Sequence, residues 1–463
     1  MADDEKGVNG GAKCRTGSSG GPGVFMGLLR GWLLLQLLTG LSRADDSGTG
    51  QVTPWQTAPN QGWGLLSALK ERGFSPRVVY ISEGWWNTTG GRESGGEVDA
   101  LLRAEMRVET EPTLGWAGGM FHACLLVPHG RSLSARRVGD LMIVSGIDAP
   151  DGWRLHEIWY EQKLAQERLA LRVGQLAADE EFPASVHSLP FIHSSFGWPA
   201  LMALNMPTPA YPFAVPGVRL GWQISDKFHW RQGLYAGDPL AYHADGRLRN
   251  RRGVEWSFNH GAFYLSEWQW HNETGAEGVK PWRVALGTFW HTGRFSHARL
   301  DDTGLSLADP GSSGVPMEKD MNYGFYLAAG RMFWQEAADA AQGLELFMRV
   351  AGSPADRNPM EFYLEGGLVY TGLLPGRAKD KLGLGVVYGQ MSREVRRLAR
   401  EEREAGVEVA ALPDFEAAVE VTYHAVLTRV WILQPVVQWI IHPGGSRELN
   451  DAVVVGVRSV LDF

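Results

Sequence analysis

Cysteine is scarce in this chain, with only Cys14 and Cys124 among 463 residues. Neither has a second cysteine at the short spacing that zinc and iron–sulfur sites require. With the N-terminal segment removed, as argued below, Cys124 is the one thiol of the mature chain and no disulfide can form. The sequence therefore predicts neither a structural metal nor a cofactor.

Long hydrophobic runs and excess positive charge are also lacking. The formal net charge is −8, and no basic patch interleaved with aromatic residues occurs, so the sequence argues against nucleic acid as a partner. Beyond one run near the N-terminus there is no stretch of about 20 apolar residues, which excludes a polytopic helical membrane protein. A membrane β-barrel is not excluded, because its strands are apolar on one face only.

The single long apolar run lies near the N-terminus. Arg30 precedes it, residues 32–38 form its core, and small residues end it at Ala44, which is the order typical of a secretory signal peptide. A membrane-anchoring helix is the alternative, but the core is short for a span. Residues 1–25 are polar and glycine-rich, so we expect Met26 to be the true start and the preceding residues to be a non-native extension.

Alternation of apolar and polar residues is what the sequence has in abundance. In the C-terminal segment "AVVVGVRSVLDF", Val455, Val457 and Phe463 fall on one face, whereas Arg458 and Asp462 fall on the other. A period of two residues predicts a strand with one apolar side. About sixteen segments follow this pattern: 76–86, 98–110, 116–126, 153–163, 168–178, 217–225, 228–236, 260–271, 282–292, 321–333, 343–351, 361–373, 382–391, 415–426, 430–441 and 453–463.

The connections between these segments alternate in length. Counted back from the C-terminus, every second connection is long, and the intervening ones are mostly short, as in the outer loops and periplasmic turns of an outer-membrane barrel. "GWGLLSALKERG" at 62–73 predicts a short helix before the first strand. "REVRRLAREEREAG" at 393–406 predicts a helical outer loop with a solvated surface and no further role.

Two folds suit such alternating strands. A soluble sandwich turns the apolar face inward, whereas a membrane barrel turns it toward lipid and must close, because lipid tolerates no open sheet edge. The predicted export, a strand number wide enough for an aqueous channel, and aromatic residues near segment ends favour the barrel. These aromatic residues are Trp85, Trp86, Trp290, Trp334, Trp439 and Phe463.

We therefore predict an all-β fold, namely a 16-stranded antiparallel transmembrane β-barrel over residues 76–463, in the bacterial outer membrane. Residues 1–44 comprise the signal peptide and its extension, and 45–75 form a periplasmic segment with the short helix. The strand that ends in Phe463 is the expected signal for the barrel-assembly machinery. The sequence does not decide between a homotrimer and a monomer, because it shows no self-complementary patch.

The polar faces carry charges of both signs, which would line the water-filled lumen of a barrel. Opposed charges on a pore wall offer many hydrogen-bond donors and acceptors, which suits a neutral polyhydroxylated solute. Trp159 offers a flat apolar surface to a sugar ring. The alternative for each charge is that it is only hydrated. The candidate pore-lining residues from this pattern are Arg103, Glu105, Arg107, Trp159, Glu161, Arg168 and Arg172.

The longest connection, 179–216, is the third of the outward loops and is rich in proline and aromatic residues. A loop of that length and apolarity is expected to fold onto other parts of the protein, so we predict that it enters the barrel and narrows it. Loop-on-loop packing at the mouth is the alternative. The candidates to touch solute are Phe191, Phe196, Trp198 and Tyr211.

Several segments resemble one known family. They include "YEQKLAQERLALRVGQLAADEEF" (160–182), "YPFAVPGVRL" (211–220), "FMRVAGSPADRN" (347–358) and "LQPVVQWIIHPGG" (433–445). Over about residues 62–463 the chain resembles the OprB-type carbohydrate-selective porins. The resemblance implies a sixteen-stranded porin that passes monosaccharides, glucose among them, across the outer membrane. By match to the first segment, the residues implied to line the pore are Glu161, Arg168, Arg172 and Asp179.

The sequence thus predicts an outer-membrane porin for facilitated diffusion of monosaccharides or small carbohydrates through a constricted, water-filled pore. A less selective porin, or one for organic acids, is the alternative. Excess basic lumenal residues would favour anions, whereas mixed signs favour neutral solutes. An enzyme is not expected, because no G-x-S-x-G, H-E-x-x-H or Cys-His arrangement occurs. The expected partners are sugar solutes and outer-membrane lipid.

Overall fold

Sixteen antiparallel strands form a closed barrel in the computed structural model, which describes residues 64–183, 190–239, 250–272, 280–409 and 411–463. Each strand pairs with its neighbours along the chain, and the first strand closes the barrel on the last. Closure leaves no sheet edge with unpaired backbone groups, which is the condition that lipid imposes. The predicted fold class is confirmed.

The strands lie close to the predicted segments, because alternation is a local property of the sequence. Their bounds are β1 Phe74–Thr89, β2 Gly95–Glu109, β3 Gly119–Gly130, β4 Arg154–Leu164, β5 Leu169–Leu176, β6 Val215–Ser225, β7 Phe228–Asp238, β8 Ser257–Asn272, β9 Trp282–Asp301, β10 Pro316–Gln335, β11 Gly343–Gly352, β12 Met360–Thr371, β13 Lys381–Met391, β14 Phe415–Val426, β15 Trp431–Ile441 and β16 Ala452–Asp462.

Side chains alternate between lipid and lumen along each strand. In β16, Val457 is exposed on the outside, whereas Arg458 is buried inside the barrel. In β1, Trp86 is exposed, but Trp85 is buried and its indole N–H donates to Glu83 Oε2 at 2.8 Å. The prediction that Trp85 belongs to an interfacial aromatic girdle is therefore wrong. The two-residue period of the strand places its side chain on the lumenal face.

The barrel wall differs in height around its circumference. β9 and β10 have 20 residues each, whereas β5 has 8. A tilted strand needs about 9–11 residues to cross a bilayer. The β9–β10 hairpin therefore extends beyond the membrane on the side of the long loops.

Two of the outer loops fold into the barrel. Loop 2 (131–153) joins β3 to β4, and loop 3 (177–214) joins β5 to β6. Both contribute buried apolar side chains to the main hydrophobic cluster. Loop 2 reaches β14, where Glu416 Oε1 accepts the backbone N–H of Met142 at 2.6 Å. The sequence predicted an inward third loop but not an inward second one, because local composition does not specify which distant strand a loop meets.

The described residues also form four α-helices: α1 Gly64–Glu71, α2 Thr110–Leu114, α3 Ala200–Asn205 and α4 Arg393–Glu404. α1 directly precedes β1, at the position predicted for a short helix. α4 begins at the N-cap Ser392 and contacts β9 through Arg299, whose Nε lies 2.6 Å from Glu394 Oε2. In the part of the chain that the structure describes, no helix is long and apolar enough to cross a membrane. The predicted signal peptide, 1–44, lies outside the described residues.

Candidate functional site: a loop held across the lumen

Three acidic residues, 179–181, lie near the start of loop 3, and two of them, Glu180 and Glu181, contact arginines of the barrel wall. Glu180 Oε1 accepts from Arg103 Nη1 of β2 at 2.7 Å, and Arg103 Nε also donates to Glu105. Burial alone would raise the pKa of Glu180, but the Arg103 guanidinium lowers that pKa below its usual range. Glu180 is therefore an anion that ties the loop to β2.

Glu181 bridges two neighbouring strands. Its Oε1 lies 2.8 Å from Arg172 Nη1, and its Oε2 lies 2.6 Å from Arg219 Nε. The same two arginines contact Glu161 Oε2 of β4 at 3.0 and 2.6 Å. Burial would raise the pKa of Glu181, but the two guanidinium groups hold it at about 2. These four residues, which we call the arginine ring, join β4, β5, β6 and loop 3.

Strand register explains the arginine ring. Glu161 stands opposite Arg172, and Arg172 stands opposite Arg219. Like charges on directly opposed strand positions repel, so the two arginines need carboxylates between them. Glu161 supplies one from the wall and Glu181 supplies the other from the loop. Loop 3 thus supplies the second carboxylate that balances the two arginines of the wall.

Asp179 joins the two ends of loop 3. Its Oδ2 accepts the backbone N–H of Tyr211 at 2.8 Å. Burial, together with the neighbouring Glu180 carboxylate, raises the pKa of Asp179 to about 7. The pore-lining role that the family resemblance implied for Asp179 stays a prediction, and the contact with Tyr211 joins the two ends of the loop.

Trp159 is buried on the lumenal face of β4. The Arg172 guanidinium carbon lies 3.7 Å from the centre of its ring, and the His122 ring stacks on it with centroids 4.7 Å apart. Such contacts stabilise a cation over the indole. The flat surface that the sequence offered to a sugar is therefore occupied by the protein's own side chains.

The far side of loop 3 is anchored by Arg349 of β11. Its Nη1 donates to the Pro183 carbonyl at 2.7 Å, and its Nη2 donates to the Ser195 carbonyl at 2.9 Å. Nη2 also lies 2.7 Å from Glu365 Oε2, and both charged side chains are fully buried. One buried arginine therefore fixes two separate points of the loop backbone.

Two aromatic rings of loop 3 pack on glycines of β13. Phe191 and Phe196 stack with centroids 4.4 Å apart. A Cβ atom at Gly385 would lie 2.5 Å from Phe196 Cζ, and one at Gly383 would lie 3.0 Å from Phe191 Cζ. The glycines therefore provide the space for the rings. Phe196, a predicted solute contact, is 3% exposed, and its ring is enclosed by Phe191 of the same loop and by the barrel wall.

The remaining predicted residues lie in different surroundings. Trp198 is buried within loop 3, where its indole N–H donates to Thr208 Oγ1 at 3.2 Å. The Arg107 side chain is 42% exposed, with Nη2 3.9 Å from Glu105 Oε2. Arg168 is exposed in the turn between β4 and β5. The structure does not bring Arg168 to the cluster, because β5 begins only at the next residue.

Sequence reasoning missed several residues that complete the site. They are Glu180, Glu181, Arg219, Arg231 and Arg283. Arg219 and Arg283 stand between apolar neighbours in their strands, so the two-residue period could have placed them in the lumen, whereas Arg231 is followed by Gln232. The two glutamates carried no such signal, because a loop has no period. No cluster of histidine, cysteine or acidic side chains among the described residues is arranged to hold a metal.

Comparison with known proteins gives a consistent result. The family model described as "Carbohydrate-selective porin, OprB family" matches residues 95–463. Porin B of Pseudomonas aeruginosa is 24% identical over 428 residues, covering 87% of this chain and 91% of that protein. The putative porin QuiX of Acinetobacter baylyi is 19% identical over 424 residues, covering 86% and 91%. The high-pH structure of Pseudomonas putida OprB has a TM-score of 0.78 at 22% identity, covering 86% of this chain and 96% of that chain, which is a likeness of fold.

Proposed function

This chain belongs to the OprB family of carbohydrate-selective porins, and we propose that the arginine ring and loop 3 form the constriction that its solutes pass. The protein is an outer-membrane porin through which small carbohydrates diffuse down their concentration gradient. The family is one of channels rather than enzymes. The proposal concerns which residues the sugar meets.

Charge pairing is the single observation that carries the proposal. Each residue of the arginine ring has an opposite charge within 3.0 Å. A wall of paired charges exerts little net force on an ion, yet its carboxylates keep lone pairs and its guanidinium groups keep N–H donors for sugar hydroxyls. An unpaired row of arginines would instead concentrate anions. Within the arginine ring, the pairing supports neutral sugars over organic acids.

Two further arginines extend the proposed constriction along the wall. Arg231 Nη1 of β7 lies 3.4 Å from the Glu181 carbonyl oxygen. Arg283 Nη2 of β9 donates to Gln269 Oε1 at 2.7 Å. Both side chains have N–H groups beyond those in these bonds, since a guanidinium carries five. They would donate to the hydroxyls of a sugar that passes loop 3.

Single-channel recording tests the constriction. In planar bilayers, added glucose is expected to reduce the current of the wild-type channel. Arg172→Ala removes one side of the ring, so we expect a larger conductance and weaker block by glucose. Arg168→Ala, an arginine from the same segment that lies outside the ring, is the matched control and should match wild type. Unchanged conductance and block in Arg172→Ala, with normal heat-modifiable mobility on gels, would place the constriction elsewhere.

We further propose that the chain is exported through a signal peptide cleaved near Ala44, with Met26 as its start, and that the strand ending in Phe463 directs barrel assembly. The apolar run, its charged flank and the terminal aromatic residue support this proposal. N-terminal sequencing of the uncleaved precursor is the test of the start, since any residue upstream of Met26 would refute it. Light scattering of the detergent complex would decide between monomer and homotrimer.

A further inference from the structure

A cavity of about 450 Å³ lies inside the barrel, between loops 2 and 3 and the strands β1, β2 and β14–β16. It reaches Arg77 and Asp462, which stand at the periplasmic ends of β1 and β16. Pockets that enclose drug-sized ligands measure roughly 300–1,000 Å³, so this cavity has room for a ligand larger than one hexose.

Four apolar side chains lie on the wall side of the cavity, among charged and polar side chains of the same strands. They are Val79, Ile81, Ile432 and Val460. Sugar hydroxyls placed against hydrocarbon lose their hydrogen bonds to water without replacement. A free monosaccharide therefore gains nothing from these four side chains, whereas an apolar ring is removed from water by contact with them.

The loop 3 side of the cavity includes polar side chains. Asp179, His193 and Ser195 are among the lining residues there. Since His193 Nδ1 accepts the backbone N–H of Ser195, Nε2 carries the proton of the neutral ring and is a donor. An acceptor, a donor and a hydroxyl are the groups that neighbouring sugar hydroxyls require.

The arginines that line the cavity are already paired. Arg77 Nε donates to Asp462 Oδ1 at 2.9 Å, and Arg103 Nη1 donates to Glu180 at 2.7 Å. Arg458 is paired with Glu83. An anionic ligand would compete with these ion pairs, so the lining favours a neutral molecule over an anion.

We propose that the cavity is a binding site for glycosides with an apolar aglycone, such as aryl glucosides. The sugar faces loop 3, and the apolar ring contacts the wall formed by β1, β15 and β16. This inference rests on the proposed function, because the ligand enters through the same sugar channel. It adds a class of substrate that is larger and more apolar than a monosaccharide.

Block of single-channel current by three probes tests the inference. The probes are phenyl β-D-glucopyranoside, methyl β-D-glucopyranoside and phenol. We expect the phenyl glucoside to block at a concentration at least about tenfold lower than the methyl glucoside, because a hydrophobic pocket discriminates by about that factor even for one methylene group. Phenol, which lacks the sugar, should block no better than the methyl glucoside.

Two variants assign the effect to the cavity. Val460→Thr keeps the shape of the side chain but adds a hydroxyl to the apolar wall, and should raise the half-blocking concentration of the phenyl glucoside severalfold without changing that of the methyl glucoside. Val454→Thr is the matched control, since Val454 is a buried lumenal residue of the same strand that does not line the cavity. Ser195→Ala should weaken block by the phenyl glucoside, because it removes one hydroxyl partner.

The outcomes separate this inference from the proposed function. Equal block by the phenyl and methyl glucosides, block by phenol alone, or equal loss of phenyl glucoside block in Val460→Thr and Val454→Thr would overturn the inference while leaving a glucose channel intact. If glucose and both glucosides fail to block while an organic anion does, the proposed function itself is overturned. Heat-modifiable mobility on gels verifies that each variant is a folded barrel.

Discussion

At the scale of single residues, many charged side chains that were predicted to face water in the lumen are buried against other parts of the protein. Arg349 and Glu365 stand next to apolar residues in β11 and β12, and the two-residue period of the strands places both on the lumenal face. Their surroundings could not be predicted, because they depend on a loop more than 150 positions away in the chain, as the Arg349–Ser195 contact shows. A lumenal residue in this barrel therefore faces either water or loop 3.

Removing Arg349 is expected to release loop 3 and destabilise the barrel. Arg349→Met leaves the Glu365 carboxylate buried without its cation, which costs about 3–5 kcal/mol. We expect heat-modifiable unfolding at a lower temperature together with a larger single-channel conductance. The double variant Arg349→Met with Glu365→Met should recover thermal stability but keep the altered conductance, because the loop carbonyls still lack their donor. Wild-type conductance in both variants would show that Arg349 does not hold the loop.

Acid is expected to weaken the arginine ring. The pKa of Glu181 is about 2 in the folded protein, below its ordinary 4.5, so its pairing stabilises the folded loop above pH 4.5 and the contribution is lost as pH falls toward 2. Conductance measured in steps below pH 5 should therefore rise or become noisier. Glu181→Gln should show that behaviour at neutral pH and respond less to acid. An identical acid response in wild type and Glu181→Gln would assign it to other groups.

At the scale of elements, the sequence predicted the strands well and the loops less well. The strands and the two helices α1 and α4 arise from local sequence patterns. The structure has all of them close to the predicted positions. The alternation of connection lengths places loop 2 among the long connections without predicting that it folds inward, yet it reaches Glu416 of β14. In that contact a lumenal carboxylate accepts backbone N–H groups of a distant loop. No local pattern in the sequence predicts such a long-range pair.

The glycines of β13 are expected to provide the space in which the aromatic rings of loop 3 pack. Gly385→Ala places a Cβ atom 2.5 Å from the Phe196 ring, so the ring must move. Overpacking of this kind costs about 1–3 kcal/mol, and we expect altered conductance with a modest loss of thermal stability. Gly84→Ala is the matched control, since a Cβ there meets nothing within 4 Å.

A second substitution decides whether the ring is responsible. Phe196→Leu in the Gly385→Ala background shortens the side chain and should return conductance toward wild type. If Gly385→Ala behaves like Gly84→Ala, loop 3 does not rest on β13. If Phe196→Leu fails to rescue, the added methyl group disturbs another contact.

At the scale of the whole molecule, the protein is a closed barrel with two loops that contact lumenal side chains of its wall. The sequence predicted the barrel, the outer membrane and the sugar channel, because alternation, export and family resemblance all bear on the whole chain. The sequence could not predict that Glu180 and Glu181 pair with arginines of the wall, because this pairing depends on the path that loop 3 takes inside the barrel. The arginines are Arg103, Arg172 and Arg219. The central claim is that this pairing makes a channel for neutral sugars.

Relative uptake of glucose and gluconate tests that claim most directly, because the two solutes are similar in size and differ in charge. Radiolabelled uptake would be measured into proteoliposomes held at zero membrane potential, with protein-free liposomes as the blank. We expect faster uptake of glucose than of gluconate, and a smaller difference in Glu181→Gln, which leaves the two arginines of the ring with one carboxylate. Gluconate uptake equal to or faster than glucose uptake in the wild-type protein would contradict it.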